Sequence, residues 1–297
     1  DLAQLCPYTL VKLMKEATPN DDFVLYGGGY YYPDYFGEKR STKVLADHAA
    51  VLRQYMALGG LKTLAYNAQD WDGEKAIQAY TEMVQGIPEL AGLLTVQYYH
   101  YSGGEGHILW VKRGEVEVPV ISARLCIWAN TGRPRDTTPA GVARWLNEMP
   151  TGGATWTEDN FTFVMPHCWS YFRDTAGDPS ITAEEEGNTA EAEGVSRGLL
   201  PVQWCVDRLR PEVRVVTPTR LVMLVNLHLR TRQTLSGWLD QLVLLAIQVD
   251  NRLAQGLIKQ AQALLPTVQD GDESGKECFE LAKRAALVLE EAGMALP

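Results

Sequence analysis

Carboxylates and aromatic rings occur together at several places in this sequence, each following a run of residues with strand character. The groups are Tyr30, Tyr32 and Asp34; Asn67, Asp70, Trp71 and Asp72; His100, Tyr101 and Glu105; Asn130, Arg133, Arg135 and Asp136; and His167, Trp169, Arg173, Asp174 and Asp178. Sugar rings stack their C–H faces on Trp and Tyr, while their hydroxyls take Asp, Glu, Asn, Arg and His as hydrogen-bond partners. Breaking a glycosidic bond requires a pair of carboxyl groups flanking it, close together for retention and farther apart for inversion. Asp34, Asp70 and Glu105 are the candidate acid/base residues. Tyr30, Tyr32, Trp71, Asp72, His100, Asp136, His167 and Trp169 are the candidate substrate contacts. No spacing among them selects one carboxylate pair.

Each candidate has a plainer explanation. Asp34 follows the rigid Pro33 and could enter a cleft or cap a turn. Glu105 sits in Ser102-Gly103-Gly104-Glu105-Gly106, a loop that either presents the carboxylate to a ligand or leaves it in solvent. Asp70 and Asp72 flank Trp71, yet Asp72-Gly73 also makes an ordinary turn. His167 ends an expected strand next to Trp169, where binding and packing against a backbone carbonyl compete.

The elements that carry these groups alternate between strand and helix. Phe23 to Tyr26 reads as a strand, and a helix follows from about Thr42 to Ala57, stopped by Gly59-Gly60. Leu61 to Tyr66 is the next strand, then a helix near Glu74 to Gln85, then strand Leu93 to Tyr98. Val118 to Ala123 and Leu125 to Trp128 are strand-like, and His107 to Glu117 is ambiguous, with a short hairpin as one reading. Thr138-Pro139 and Thr217-Pro218 each start a helix with a hydroxyl cap and a proline in the first turn. Strand Phe161 to Met165, a helix near Leu199 to Leu209 and strand Val213 to Val216 lie between them. This order predicts an α/β fold, a TIM-like or irregular parallel β/α barrel, complete or incomplete, over residues 1–233. Its long loops gather at the carboxyl ends of the strands. Residues 234–297 predict a C-terminal helical hairpin, with one long helix whose apolar residues run from Leu235 to Leu264 and a second from about Lys276 to Glu291.

The segment Gly27-Gly28-Gly29-Tyr30-Tyr31-Tyr32-Pro33 is too rich in glycine and tyrosine for an ordinary packed element, and it reads as a loop from strand to helix. Gly27, Gly29, Tyr30, Tyr32 and Pro33 reproduce the pattern G-x-G-Y-x-Y-P. In this the chain resembles the GxGYxYP family, which is named for that pattern and classed among glycoside hydrolases of secreted bacterial proteins. Phe163 to Phe172, with His167-Cys168-Trp169, resembles the family's strand ending in a His-x-Trp loop, and Arg214 to Pro218 resembles its closing strand. The similarity spans roughly Asp1 to Arg230. It implies the C-terminal portion of the family domain without its N-terminal part, a carbohydrate substrate, and an extracellular or periplasmic location.

Composition narrows the alternatives. A formal charge of −10 with no cluster of Lys and Arg argues against a nucleic-acid partner. No apolar run is long enough to span a membrane, and no signal peptide is visible. The five cysteines lack C-x-x-C spacing, and no H-x-x-x-H or H-x-x-E-H pattern occurs, so neither a metal nor another cofactor is expected. No G-x-S-x-G nucleophile elbow and no Gly-Lys-Ser/Thr phosphate loop is present. The leading expectation is a carbohydrate-active glycoside hydrolase. The alternatives are a non-catalytic carbohydrate-binding protein and, behind it, a metal-dependent polysaccharide deacetylase.

Overall fold

A computed structural model describes residues 6–18, 20–27, 32–39, 41–97, 101–129, 131, 133–151, 155–175, 177–187 and 198–294. The chain forms two compact units, residues 1–151 with 158–222, and residues 152–157 with 223–297.

The first unit is a mixed α/β structure on a mostly parallel sheet. Its strands are β1 (Leu25–Tyr26), β2 (Thr63–Ala68), β3 (Gly92–Gln97), β4 (Ile108–Arg113), β5 (Val116–Ile127) and β6 (Phe163–Pro166). The order is β1-β2-β3-β5-β4, with β6 also paired to β5. Only β4 runs antiparallel, joined to β5 by the two-residue loop Gly114-Glu115, where Gly114 takes φ +61. The hairpin reading of His107 to Glu117 therefore holds. The reading of Leu125 onward as a continuation of the strand from Val118 holds: β5 is one strand with an irregularity between Ala123 and Leu125, pairing with β3 and β4 before it and with β6 from Ala123 onward.

Helices α1 (Pro7–Glu16), α2 (Pro33–Lys39), α3 (Thr42–Gly59), α4 (Glu74–Gly86), α5 (Pro134–Thr137), α6 (Pro139–Glu148), α7 (Ala183–Gly187) and α8 (Leu200–Asp207) belong to this unit. Parallel neighbours need crossovers, and α3 and α4 supply them between β1, β2 and β3. Leu45, Ala49, Leu52 and Met56 of α3 and Ala79, Tyr80, Met83 and Val84 of α4 bury their apolar faces with Leu64, Tyr66, Leu93, Val118 and Val120 of the sheet. The two helices approach closely at Gly86, where an added Cβ would stand 2.7 Å from that of Ala49. A second core joins Leu125, Ile127 and Ala129 to Val142, Ala143, Phe172, Trp204 and Cys205. Beside it, Glu186 and Arg208 form a buried ion pair at 3.2 Å, and Glu186 also accepts the Ala140 N–H at 2.6 Å in the first turn of α6. The Thr138 hydroxyl caps that helix, accepting from the Gly141 N–H at 3.1 Å.

Three local expectations are corrected. Tyr32 and Pro33 lead into a helix, α2, where a continuous loop was expected; proline in a first turn costs no hydrogen bond, and the Tyr32 carbonyl accepts the Phe36 N–H at 3.0 Å. Val213 to Val216 forms no strand: β-branched content alone does not make one without a partner. The long helix after Thr234 is two helices.

That last break lies in the second unit, which holds α10 (Thr231–Gln248), α11 (Arg252–Leu264) and α12 (Lys276–Glu291); α9 (Pro218–Leu229) begins in the first unit and ends in this one. Asp250 takes the left-handed φ +48, and the Asn251 side chain caps α11 by accepting the Ala254 N–H at 3.0 Å. Leu235, Leu239 and Leu242 of α10 pack with Leu257 and Ile258 of α11 and with Ala282, Ala285 and Leu289 of α12. The C-terminal segment is thus a helical cluster rather than a hairpin. Among the described residues no helix is long and apolar enough to cross a membrane.

Candidate functional site

Strands β1, β2, β3, β5 and β6 are parallel through their pairings, so their carboxyl ends share one edge of the sheet. The candidate loops leave from that edge. Gly27 opens the first of them: its φ is +47, and a Cβ there would meet the Tyr66 ring at 2.6 Å, so only glycine fits on both counts. His48 of α3 holds the same residue, its Nε2 lying 3.0 Å from the Gly27 carbonyl oxygen, and burial lowers the His48 pKa. Tyr30 and His100 lie outside the described residues.

Asp34 stands in the first turn of α2 and is 6% exposed. Its Oδ2 accepts the backbone N–H groups of Gln69 at 2.7 Å and Asp70 at 3.0 Å, and its Oδ1 accepts that of Tyr35 at 2.9 Å. The carboxylate therefore ties the end of the glycine-tyrosine segment to the loop after β2. Hydrogen bonds to a charged acceptor contribute about 1.5–3 kcal/mol each.

The loop so anchored presents Asp70 and Asp72, both exposed. Asp70 has a raised pKa, first through partial desolvation, then through the charge and hydrogen bond of Asp72 and the charge of Asp34. A carboxyl that keeps its proton to higher pH is suited to general-acid work. Trp71 between them is buried, at 5% exposure; its backbone N–H reaches Gln97 Oε1 at 3.5 Å, and a Cβ on Gly104 would meet its indole at 3.0 Å. Trp71 supports the loop after β3 instead of offering an open face. Within that loop Glu105 is exposed, with a left-handed φ of +53, in a turn closed by its own N–H to the Ser102 carbonyl at 3.1 Å.

Four rings from neighbouring strand ends form a continuous row. Tyr101 stacks on Trp128 with centroids 5.0 Å apart, Trp128 contacts His167 at 5.0 Å, and His167 meets Trp169 edge-on at 5.7 Å. Trp169 is 71% exposed, so the row opens to solvent there. His167 is oriented by Ser170, whose Oγ lies 2.9 Å from Nδ1 while accepting the Ala129 N–H at 3.0 Å. With the hydroxyl hydrogen directed at Nδ1, the neutral ring carries its proton on Nε2. Partial burial lowers the His167 pKa and favours that neutral form. Tyr101 also holds a left-handed φ of +56, unusual for an aromatic residue and a mark of local constraint.

Asp136 is committed within the chain: Oδ2 accepts from Arg133 at 3.0 Å and Oδ1 from the Trp145 indole N–H at 3.0 Å. Tyr32 is half-buried. Among the described residues no three His, Cys, Asp or Glu side chains form a group able to hold a metal ion. The described cysteines are all free, with Cys6 and Cys168 exposed. Trp128 and Ser170 are site residues that the sequence did not single out. Asn67, next to last in β2, is 1% exposed, and neither Oδ1 nor Nδ2 has a hydrogen-bond partner among the described residues.

The chain belongs to the GxGYxYP family: the family model described as GxGYxYP putative glycoside hydrolase C-terminal domain matches residues 1–175, more than half of the chain. That stretch contains α2 with its glycine-tyrosine approach, all six strands and the whole aromatic row, and stops short of Arg214 to Pro218. Neither a curated protein nor a solved structure matches this chain.

Proposed function

We propose that this protein is a glycoside hydrolase acting on a poly- or oligosaccharide at the carboxyl edge of its sheet. The observation that carries the reading is the aromatic row of Tyr101, Trp128, His167 and Trp169 on the same edge as the Asp70–Asp72 carboxylates. With strands about 4.8 Å apart, the ends of β2 and β5 lie about 10 Å from each other, the scale of two sugar rings. Asp70 serves as general acid, and Glu105 on the adjoining loop is the candidate second carboxylate. Asp34 positions the acid, and Trp71 shapes the wall behind it. Tyr30, Tyr32, Asp72, His100, Asp136 and Trp169 remain the candidate sugar contacts, with His167 donating from Nε2. We take the sheet as part of an irregular β/α barrel, a reading supported by its parallel strands and the loops leaving from one edge, and place the protein's action outside the cytoplasm, which the family resemblance supports.

A second reading, a non-catalytic carbohydrate-binding protein, draws support from the engagement of Asp34 and Asp136 within the chain, which leaves fewer carboxylates for chemistry. Among the described residues no grouping of side chains supports a metal-dependent deacetylase. Parallel screens of oligosaccharide hydrolysis and glycan-array binding separate the readings. Release of reducing ends that stops in Asp70→Asn is expected, whereas binding without turnover would remove the enzyme.

A further inference from the structure

Asn67 is buried with both amide atoms unpartnered among the described residues. Strand alternation places it on the face of β2 opposite Leu64 and Tyr66, which pack with α3 and α4, and beside its register partner Val96. β1 ends opposite Ala65, so β2 carries Asn67 beyond its short neighbour toward the edge where the candidate loops leave. A carboxamide offers a donor and an acceptor side by side, and folded proteins rarely bury one with both unsatisfied. Here both are, at 1% exposure. For packing alone a leucine would serve as well and would avoid the cost of a desolvated amide.

We propose that Asn67 is the floor of a sugar subsite, where its carboxamide reads a pair of adjacent hydroxyls: Oδ1 accepts from one and Nδ2 donates to the other. The inference rests on the carbohydrate reading above and deepens it, because it names a vicinal diol as the group recognised. A diol matches the Asn side chain in spacing and in polarity, whereas a single carboxylate or ammonium would satisfy only one of its two ends. Both amide atoms are covered in this structure, so a ligand entering from the carboxyl end of β2, next to the Asp70 loop, has to displace the groups that cover them.

The test compares wild type with Asn67→Leu on an array of neutral and acidic oligosaccharides, with thermal melts on the same samples. The expected result is an unchanged or higher Tm together with at least a tenfold loss of affinity for the best-bound oligosaccharide. Monodeoxy analogues of that oligosaccharide provide a measurement independent of the variant's folding. Removing either hydroxyl of one adjacent pair should weaken wild-type binding by a similar factor, with little further loss in Asn67→Leu. A lower Tm with unchanged affinity, or full binding of every monodeoxy analogue, overturns the assignment and leaves the carbohydrate reading standing. If wild type binds no oligosaccharide, both fall together.

Discussion

Asp34 Oδ2 accepts the backbone N–H of Asp70 at 3.0 Å, across a sequence separation of 36 residues, and so joins the residue after the glycine-tyrosine motif to the proposed acid. Asp34→Ala should unfasten this loop. The expected cost is about 2–4 kcal/mol, given the charged acceptor and the N–H groups left behind. Amide hydrogen exchange at Gln69 and Asp70 should accelerate in Asp34→Ala; unchanged protection at both amides would show that the clamp does not hold the loop.

Asp70 carries the pH prediction. Its raised pKa means that the folded protein keeps this proton to higher pH than the unfolded chain does. Ionising Asp70 therefore lowers stability as pH rises from the ordinary aspartate value through the raised one. As a general acid, Asp70 should make turnover fall over that same rise. Asp34→Asn removes a neighbouring negative charge and should shift the alkaline limb toward acid, while Asp70→Asn should lower turnover about a hundredfold or more. An alkaline limb identical in Asp34→Asn would break the link.

The aromatic row separates binding from folding. Trp169 is 71% exposed, so Trp169→Ala should alter stability by no more than about 0.5 kcal/mol. Its effect should instead fall on oligosaccharide affinity, at about threefold to tenfold for one stacking face. Trp128→Ala, taken from the middle of the row, should lower both affinity and Tm. Equal affinities for wild type and Trp169→Ala would exclude Trp169 as a platform.

Glu186 and Arg208 form the buried ion pair of the first unit, and burial raises the Glu186 pKa against the opposing pull of Ala140 N–H and Arg208. Glu186→Ala strands a buried guanidinium and should cost about 3–5 kcal/mol in denaturant unfolding. The double variant Glu186→Leu with Arg208→Met should recover much of that loss. A double variant no more stable than Glu186→Ala would show that the pair holds more than its own charges.

The strand and helix alternation could be read because β2, β3, α3 and α4 each carry an uninterrupted apolar period with glycine stops at Gly60 and Gly86. Other features left weaker traces. Pro33 marked the start of α2, but glycines and tyrosines around it obscured the helix. Trp128 closed an apolar run and so resembled strand core, although its ring joins the row at the sheet edge. The role of Asp34 depends on amides of Gln69 and Asp70, and no local spacing encodes a contact at that distance along the chain. Asn67 stood among the candidate loop residues, but that its amide lacks a partner is a property of three-dimensional packing.

The left-handed Asp250 and the capping Asn251 reverse the chain between α10 and α11, and little else interrupts a helical sequence there. Such a turn is also a hinge. Asp250→Ala with Asn251→Ala would favour one straight helix, carrying α11 onto the equivalent helices of a second copy, so the variant should exchange segments and elute at a larger size than wild type. A variant with the elution volume and Tm of wild type would show that the packing of α11 and α12, rather than these two residues, fixes the turn.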